Sequence, residues 1–127
     1  MGAWGILFDE NDDAADWLAN FGDQPGWEAV DEAFTAADGD YIEAPDASQA
    51  LAAAEVVAAA LGRPSDRISE TGKWAALNAA GAQDRKETAR NLVARIRDDS
   101  ELHELWQESD EYADWRQSVD ETLSRLA

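Results

Sequence analysis

Residues 47–61 read Ala47-Ser48-Gln49-Ala50-Leu51-Ala52-Ala53-Ala54-Glu55-Val56-Val57-Ala58-Ala59-Ala60-Leu61, and Gly62-Arg63-Pro64 follow. From Ala50 to Leu61 the one charged residue is Glu55. Alanine is the strongest helix former, and glycine followed by proline is a stop, so one helix closed by Gly62 and Pro64 is expected. Asp46 and Gln49 have the spacing of a capping box at its start. A helix that is apolar on nearly all sides is normally covered on all sides. It is too short to cross the roughly 30 Å of a bilayer core. Its small side chains admit close neighbours, which makes it the central helix of a helical domain.

The segments on either side supply the covering helices. Asn11 is placed to cap a helix with Asp12 and Asp13 in its first turn, where the macrodipole favours negative charge. Ala14, Trp17, Leu18 and Phe21 then recur at helical spacing, up to a turn over Gly22–Gly26. Pro25 suits the opening of a second helix, whose stripe is Trp27, Val30, Phe34 and Ala37, ended by Gly39. Past Ser65, Thr71 is placed to cap a short helix through Trp74, Leu77 and Ala80, with Gly81 as its stop. Asp84 and Glu87 form a second capping-box pair ahead of Ala89, Leu92, Val93 and Ile96. Leu102, Leu105 and Trp106 suit a short helix, and Tyr112, Trp115, Val119, Leu123 and Leu126 a last one. No alternating strand pattern is visible. The expectation is an all-α fold, a single compact bundle of about six or seven short helices around the central Ala/Val-rich helix, one domain over residues 1–127. Its core should hold Trp17, Trp27, Val57, Leu61, Leu92, Ile96, Trp115 and Val119.

Composition bounds the function. The 127 residues carry 28 acidic and 10 basic groups, a net charge of −18, with no cysteine and one histidine. Leu, Ile, Val and Phe number 22, a fraction typical of disordered chains at this charge, but six tryptophans and the helical stripes argue for a folded domain. Disulfide, thiol and cysteine-based metal chemistry are excluded. Direct contact with a phosphate backbone is disfavoured by like charge. No apolar run is long enough to span a membrane. The opening Met1-Gly2-Ala3-Trp4-Gly5 lacks the basic stretch of a signal peptide, and Ile6 stands where a myristoylation motif needs Ser or Thr. A cytoplasmic protein is expected.

The charge is uneven. Residues 1–62 contain fourteen acids and no Lys or Arg, while residues 85–97 hold five basic groups and one acid. One reading is an intramolecular network between the basic helix and acidic neighbours. The other is a docking surface for a cationic partner.

The opening Met1-Gly2-Ala3-Trp4-Gly5, with Phe8 and Asn11-Asp12-Asp13-Ala14-Ala15-Asp16-Trp17, resembles a bacterial family, domain of unknown function family 4259. Ala52–Ala59 through Gly62-Arg63-Pro64 is similar to a second family segment, and Leu105-Trp106 with Trp115 and Leu123 fits its end. Where the chain continues Gly5-Ile6-Leu7-Phe8, the family usually keeps a further small residue or glycine. The resemblance covers most of the chain, supports the domain boundary and implies no catalytic residue.

Several side chains are candidates for a site. Asp9, Asn11 and Asp13 have calcium-loop spacing, but Ala14 and Asn20 occupy the places that need Gly and Glu, so an acidic helix start is the better reading. His103, between Glu101 and Glu104, lacks the second ligand a zinc site requires and reads as an ordinary exposed histidine. Trp17, Trp27, Trp106 and Trp115 lie on apolar stripes and read as core, which leaves Trp4 and Trp74 as candidate contacts. Glu55 is the buried polar candidate. Inside an apolar helix it either sits at an edge or is buried with partners, either the N-terminal segment or an Arg.

These readings favour a non-enzymatic acidic protein-binding domain that neutralises a basic protein, in the manner of immunity proteins or DNA-mimic inhibitors. Asp12, Asp16, Glu28 and Glu32, paired at i and i+4, are its expected contacts. The alternatives are a small enzyme or ligand-binding protein with a polar pocket around Glu55, and an acidic housekeeping domain, which 26 Ala, eight Arg and two Lys would suit. No cofactor, metal, direct nucleic-acid partner or membrane partner is expected.

Overall fold

The structure, a computed structural model, describes residues 5–68 and 79–127. The proposed helix from Thr71 through Trp74 and Leu77, together with Trp4, lies outside the described residues. The described elements are α1 (Asp12–Asp23), α2 (Trp27–Ala36), α3 (Ala44–Ala60), α4 (Ala79–Asp98), α5 (Glu101–Gln107) and α6 (Tyr112–Arg125). The fold is all-α. Among the described residues no helix is long and apolar enough to cross a membrane.

The Ala/Val-rich α3 is the axis of the molecule. From Ala47 to Ala60 every side chain except Gln49 is buried. Each of the other described helices packs against it. Alanine at Ala50, Ala52, Ala53, Ala54, Ala58, Ala59 and Ala60 is what permits this, because methyl-sized side chains let backbones approach from several directions. The helix closes on a Schellman turn. Gly62 sits at φ 89, its N–H donates to Ala59 O at 3.0 Å, and the Arg63 N–H donates to Ala58 O at 3.0 Å.

The start of α3 differs from the capping-box expectation. The helix begins at Ala44 with Pro45 in its first turn, so Asp46 and Gln49 lie within the helix. Its free N-terminus is capped by a residue 57 positions away. Glu101 Oε1 accepts from the Ala44 N–H at 2.8 Å, while the Glu101 N–H donates to Ile42 O at 2.9 Å. A carboxylate at this end also complements the helix dipole.

Three further boundaries are corrected. Asn11 does cap α1, accepting from the Ala14 N–H at 2.9 Å, but the helix runs on through Gly22 to Asp23. Helix α2 starts at Trp27 behind an extended Gly26, so Pro25 stands before the helix, and it ends at Ala36 ahead of Gly39. Gly81 stops nothing. It lies inside the 20-residue α4, which also contains Asp84 and Glu87 and so removes their capping-box role. The reason for Gly81 is close packing. A Cβ there would lie 2.9 Å from Trp27 Cδ1 and closer still to other indole atoms. Arg85 sits over that indole, 4.8 Å from its ring centroid, and donates to Gly81 O at 3.0 Å. With 17 residues in α3 and 20 in α4, the two helices that carry most of the packing are not short.

Val57, Leu92, Ile96, Trp115 and Val119 are buried in one core, joined by Trp106, Phe21, Ile42 and Leu126. Trp17, Trp27 and Leu61 are half-buried and pack against its edge. Trp17 stacks on Phe21 at 5.2 Å and Trp106 on Trp115 at 6.2 Å.

The two helical glycines give opposite expectations. Nothing lies within 4 Å of a Cβ placed on Gly22, so Gly22→Ala should stabilise the domain by about 0.5–1 kcal/mol. Gly81→Ala should destabilise it by about 1–3 kcal/mol despite the better helix propensity, because the Trp27 indole must move. Urea unfolding of both variants checks the pair.

Candidate functional site

Glu55 lies at the centre of α3 and is 0% exposed. Its partners come from the last helix. Thr122 and Arg125 are three residues apart on α6 and therefore share a face. Thr122 Oγ1 donates to Glu55 Oε1 at 2.7 Å, Arg125 Nε donates to Oε2 at 3.1 Å, and Arg125 Nη2 donates to Oε1. Both carboxylate oxygens are thus engaged by a forked, charged donor and a hydroxyl. Arg125 keeps 26% of its side chain exposed, so its charge retains some water while the carboxylate has none. Such a carboxylate acts as a clamp between α3 and α6.

The N-terminal segment is held elsewhere, not by Glu55. Ser118 Oγ donates to Ile6 O at 3.0 Å, Arg67 pairs with Asp9, and Glu10 Oε1 accepts from the Leu7 N–H at 3.2 Å. Of the calcium-like trio, Asp9 is therefore paired with an arginine and Asn11 is a helix cap. Among the described residues no cluster of three or more His, Cys, Asp or Glu could hold a metal ion.

His103 is half-buried, which corrects the expectation of an ordinary exposed side chain. Its Nδ1 lies 2.7 Å from Arg97 O. A carbonyl accepts, so Nδ1 carries the proton and satisfies one of the free carbonyls at the end of α4. The ring meets Tyr112 edge-on at 5.4 Å. Around it runs an ion-pair chain. Arg97 pairs with Asp98 at 2.8 Å and Asp120 at 2.9 Å, Arg116 reaches Asp98 at 2.9 Å, and Arg116 Nη1 donates to Tyr112 Oη at 3.1 Å. The Arg97 guanidinium holds the Asp98 carboxyl down at about 2, against an ordinary 3.8. This network ties α4 to α6, and all its members have partners.

The four carboxylates expected to meet a partner are all exposed. Asp12 and Asp16 lie on α1, Glu28 and Glu32 on α2, and among the described residues none of them makes an ion pair. Both helices dock on α3, so these groups form two strips, one on each helix. Glu28, Asp31, Glu32, Thr35 and Ala36 line an open groove along α2, where Arg85 pairs with Asp31 at 2.7 Å. Sequence reasoning missed Tyr41, which is 50% exposed. Its hydroxyl donates to Glu104 Oε2 at 2.8 Å, and that bond, with nearby Glu101 and Glu43, pushes its pKa up to about 12.

Fold and site together define an acidic all-α domain cross-braced by a buried Glu–Arg pair. The chain belongs to the family described as Domain of unknown function (DUF4259), whose model matches residues 2–118. Among curated proteins and among solved structures, none matches the chain.

Two expectations follow from the charged groups. Arg125→Met leaves the Glu55 carboxylate buried without its counter-charge and should cost about 3–5 kcal/mol in chemical denaturation. Adding Glu55→Leu should restore most of that loss, since Thr122 Oγ1 also has Ser118 O at 3.3 Å. For Asp98, whose folded pKa is lowered, the pairing stabilises the fold above 3.8 and is lost as pH falls through about 2. A carboxyl NMR titration should find Asp98 near the lower value, and Arg97→Met should move it toward the upper one.

Proposed function

We propose that this domain is a non-enzymatic bacterial binding module, acting in the cytoplasm, that engages and neutralises a basic protein through the acidic strips of α1 and α2. The observation that carries the reading is the allocation of charge within the molecule. Arg63, Arg67, Arg85, Arg95, Arg97, Arg116 and Arg125 each bond to a carboxylate or carbonyl of the same chain. Asp12, Asp16, Glu28 and Glu32 are left exposed without a cation among the described residues. Like charges four apart on a helix cost a few tenths of a kcal/mol per pair, roughly, in isolation. A cationic partner would relieve this repulsion on binding. The net charge of −18 adds long-range steering of such a partner, screened over about 8 Å at physiological ionic strength. The exposed Tyr41, fixed by Glu104, gives an aromatic surface suited to a partner's arginine.

The test is capture of a partner at low salt followed by stopped-flow association. The reading expects a basic protein whose association rate falls by about tenfold or more as salt rises. Reversal of Asp12, Asp16, Glu28 and Glu32 to Lys should slow association with the melting temperature preserved. A partner that associates equally fast at low and high salt, or is indifferent to the reversal, contradicts the reading and leaves the charge a solubility feature.

A further inference from the structure

Lys86 and Arg90 of α4 depart from the internal pairing of the arginines. Among the described residues neither side chain makes an ion pair or a hydrogen bond. With 28 acidic and 10 basic groups in the chain, cations are the scarce charge, so two left without a carboxylate stand out. They are four residues apart and share one face of α4 with Ala94. Lys86 is half-buried and Arg90 exposed. With Ala94 and Leu123 of α6 they line a surface groove. Glu87, the one carboxylate on that lining among the described residues, pairs with neither.

This groove adjoins two others. Asn91 is shared with a crevice between α2 and α4, which has the buried Phe34 and Leu92 on its floor and the exposed Asp38 and Thr88 on its rim. Thr35 is shared between that crevice and the groove of Glu28, Asp31 and Glu32 along α2. The surface thus passes from a negative end on α2, over an apolar floor, to a positive end on α4. At the negative end Arg85 offsets Asp31, which leaves Glu28, Glu32 and Asp38 without an ion pair among the described residues. A partner surface that is positive throughout fits the α2 end and is repelled by Lys86 and Arg90. A segment with cations at one end and carboxylates at the other fits both. A nucleic acid is opposed along its whole length by the net charge of −18, whereas two carboxylates on a basic segment bring little negative charge into that field.

We infer that the adjoining grooves from Glu28 and Glu32 to Lys86 and Arg90 form one docking surface for a bipolar segment of a basic protein. The segment bears lysine or arginine where it meets α2 and a pair of carboxylates where it meets α4. The inference rests on the acidic-strip reading and adds the partner's orientation and its need for acids at one end. Lys86 and Arg90 select against segments that are cationic throughout, which would otherwise be drawn to so acidic a surface.

Two synthetic peptides are the probes, titrated into the full chain at low salt and followed by fluorescence anisotropy. Both have the same lysine-rich end and flexible linker. One finishes in Glu-Ala-Ala-Ala-Glu and the other in Gln-Ala-Ala-Ala-Gln. General attraction to so acidic a chain favours the second, more positive peptide. The bipolar surface favours the first by about threefold to tenfold, the worth of two exposed ion pairs. Lys86→Gln with Arg90→Gln, at an unchanged melting temperature, should reverse that preference, while Glu28→Gln with Glu32→Gln should weaken both peptides. Equal or tighter binding of the Gln-ended peptide to the unaltered domain would overturn the bipolar surface and leave the acidic-strip reading standing. Failure of both peptides to bind, or indifference of both to the Glu28 and Glu32 changes, would overturn that reading and this surface with it. A short single-stranded oligonucleotide that binds the unaltered domain and is lost with Lys86→Gln and Arg90→Gln would also overturn the inference, marking the positive end as a phosphate site.

Discussion

The structure depends on covering α3 from every direction. A run of alanines and valines has no polar face to turn to water, so the chain must supply neighbours all round it. The other described helices are arranged as that cover, each with its own apolar stripe pressed inward. Within the apolar run of this axis, past Asp46 in its first turn, the sequence places one carboxylate, Glu55, and the requirement to neutralise it fixes how α6 must lie. Arg125 and Thr122 reach Glu55 at one rotation and height of α6. A buried pair of this kind contributes little net stability over a well-packed apolar pair, but an unpaired Glu55 would be severely unfavourable. Its effect is therefore on register: competing placements of α6 leave a buried charge alone.

The same logic extends to several of the other arginines. Arg63 holds the carbonyls of Ser124 and Ala127 at the end of α6, Arg97 and Arg116 tie α4 to α6, and Arg85 joins α4 to α2. Arginine is suited to these places because its planar fork makes several directed hydrogen bonds at once. With these arginines engaged inside the molecule, Asp12, Asp16, Glu28 and Glu32 on the outer surface of α1 and α2 keep their negative charge unpaired among the described residues. The proposed binding role grows from that division.

Much of the fold was legible in the sequence because its signals are local. Asn11 and the stripe behind it, the Gly62 stop, and the alanine run all act within a turn or two of themselves. What was not legible depends on distant partners. The cap of α3 comes from Glu101, and no local spacing announces it. Gly81 looks like a stop until Trp27 is seen against it. His103 looks solvent-facing until the end of α4 arrives beside it. For Glu55 the sequence showed the anomaly but not the answer. The available signal was the polar line Ser118, Thr122, Arg125 at i, i+4 and i+7, which runs beside the apolar stripe of α6. Tyr41 offered no pattern at all, being a single aromatic in a connector among carboxylates.

The central claim is that α3 is the axis whose burial holds the domain together. Native-state hydrogen exchange tests it most directly, because an element enclosed by all the others can open only when they leave. The account predicts that the amides of Leu51–Ala60 exchange only through global unfolding, with protection equal to the full unfolding free energy from denaturation, while α1 and α2 open at lower cost. Exchange of the α3 amides faster than those of α1 or α2 would contradict it.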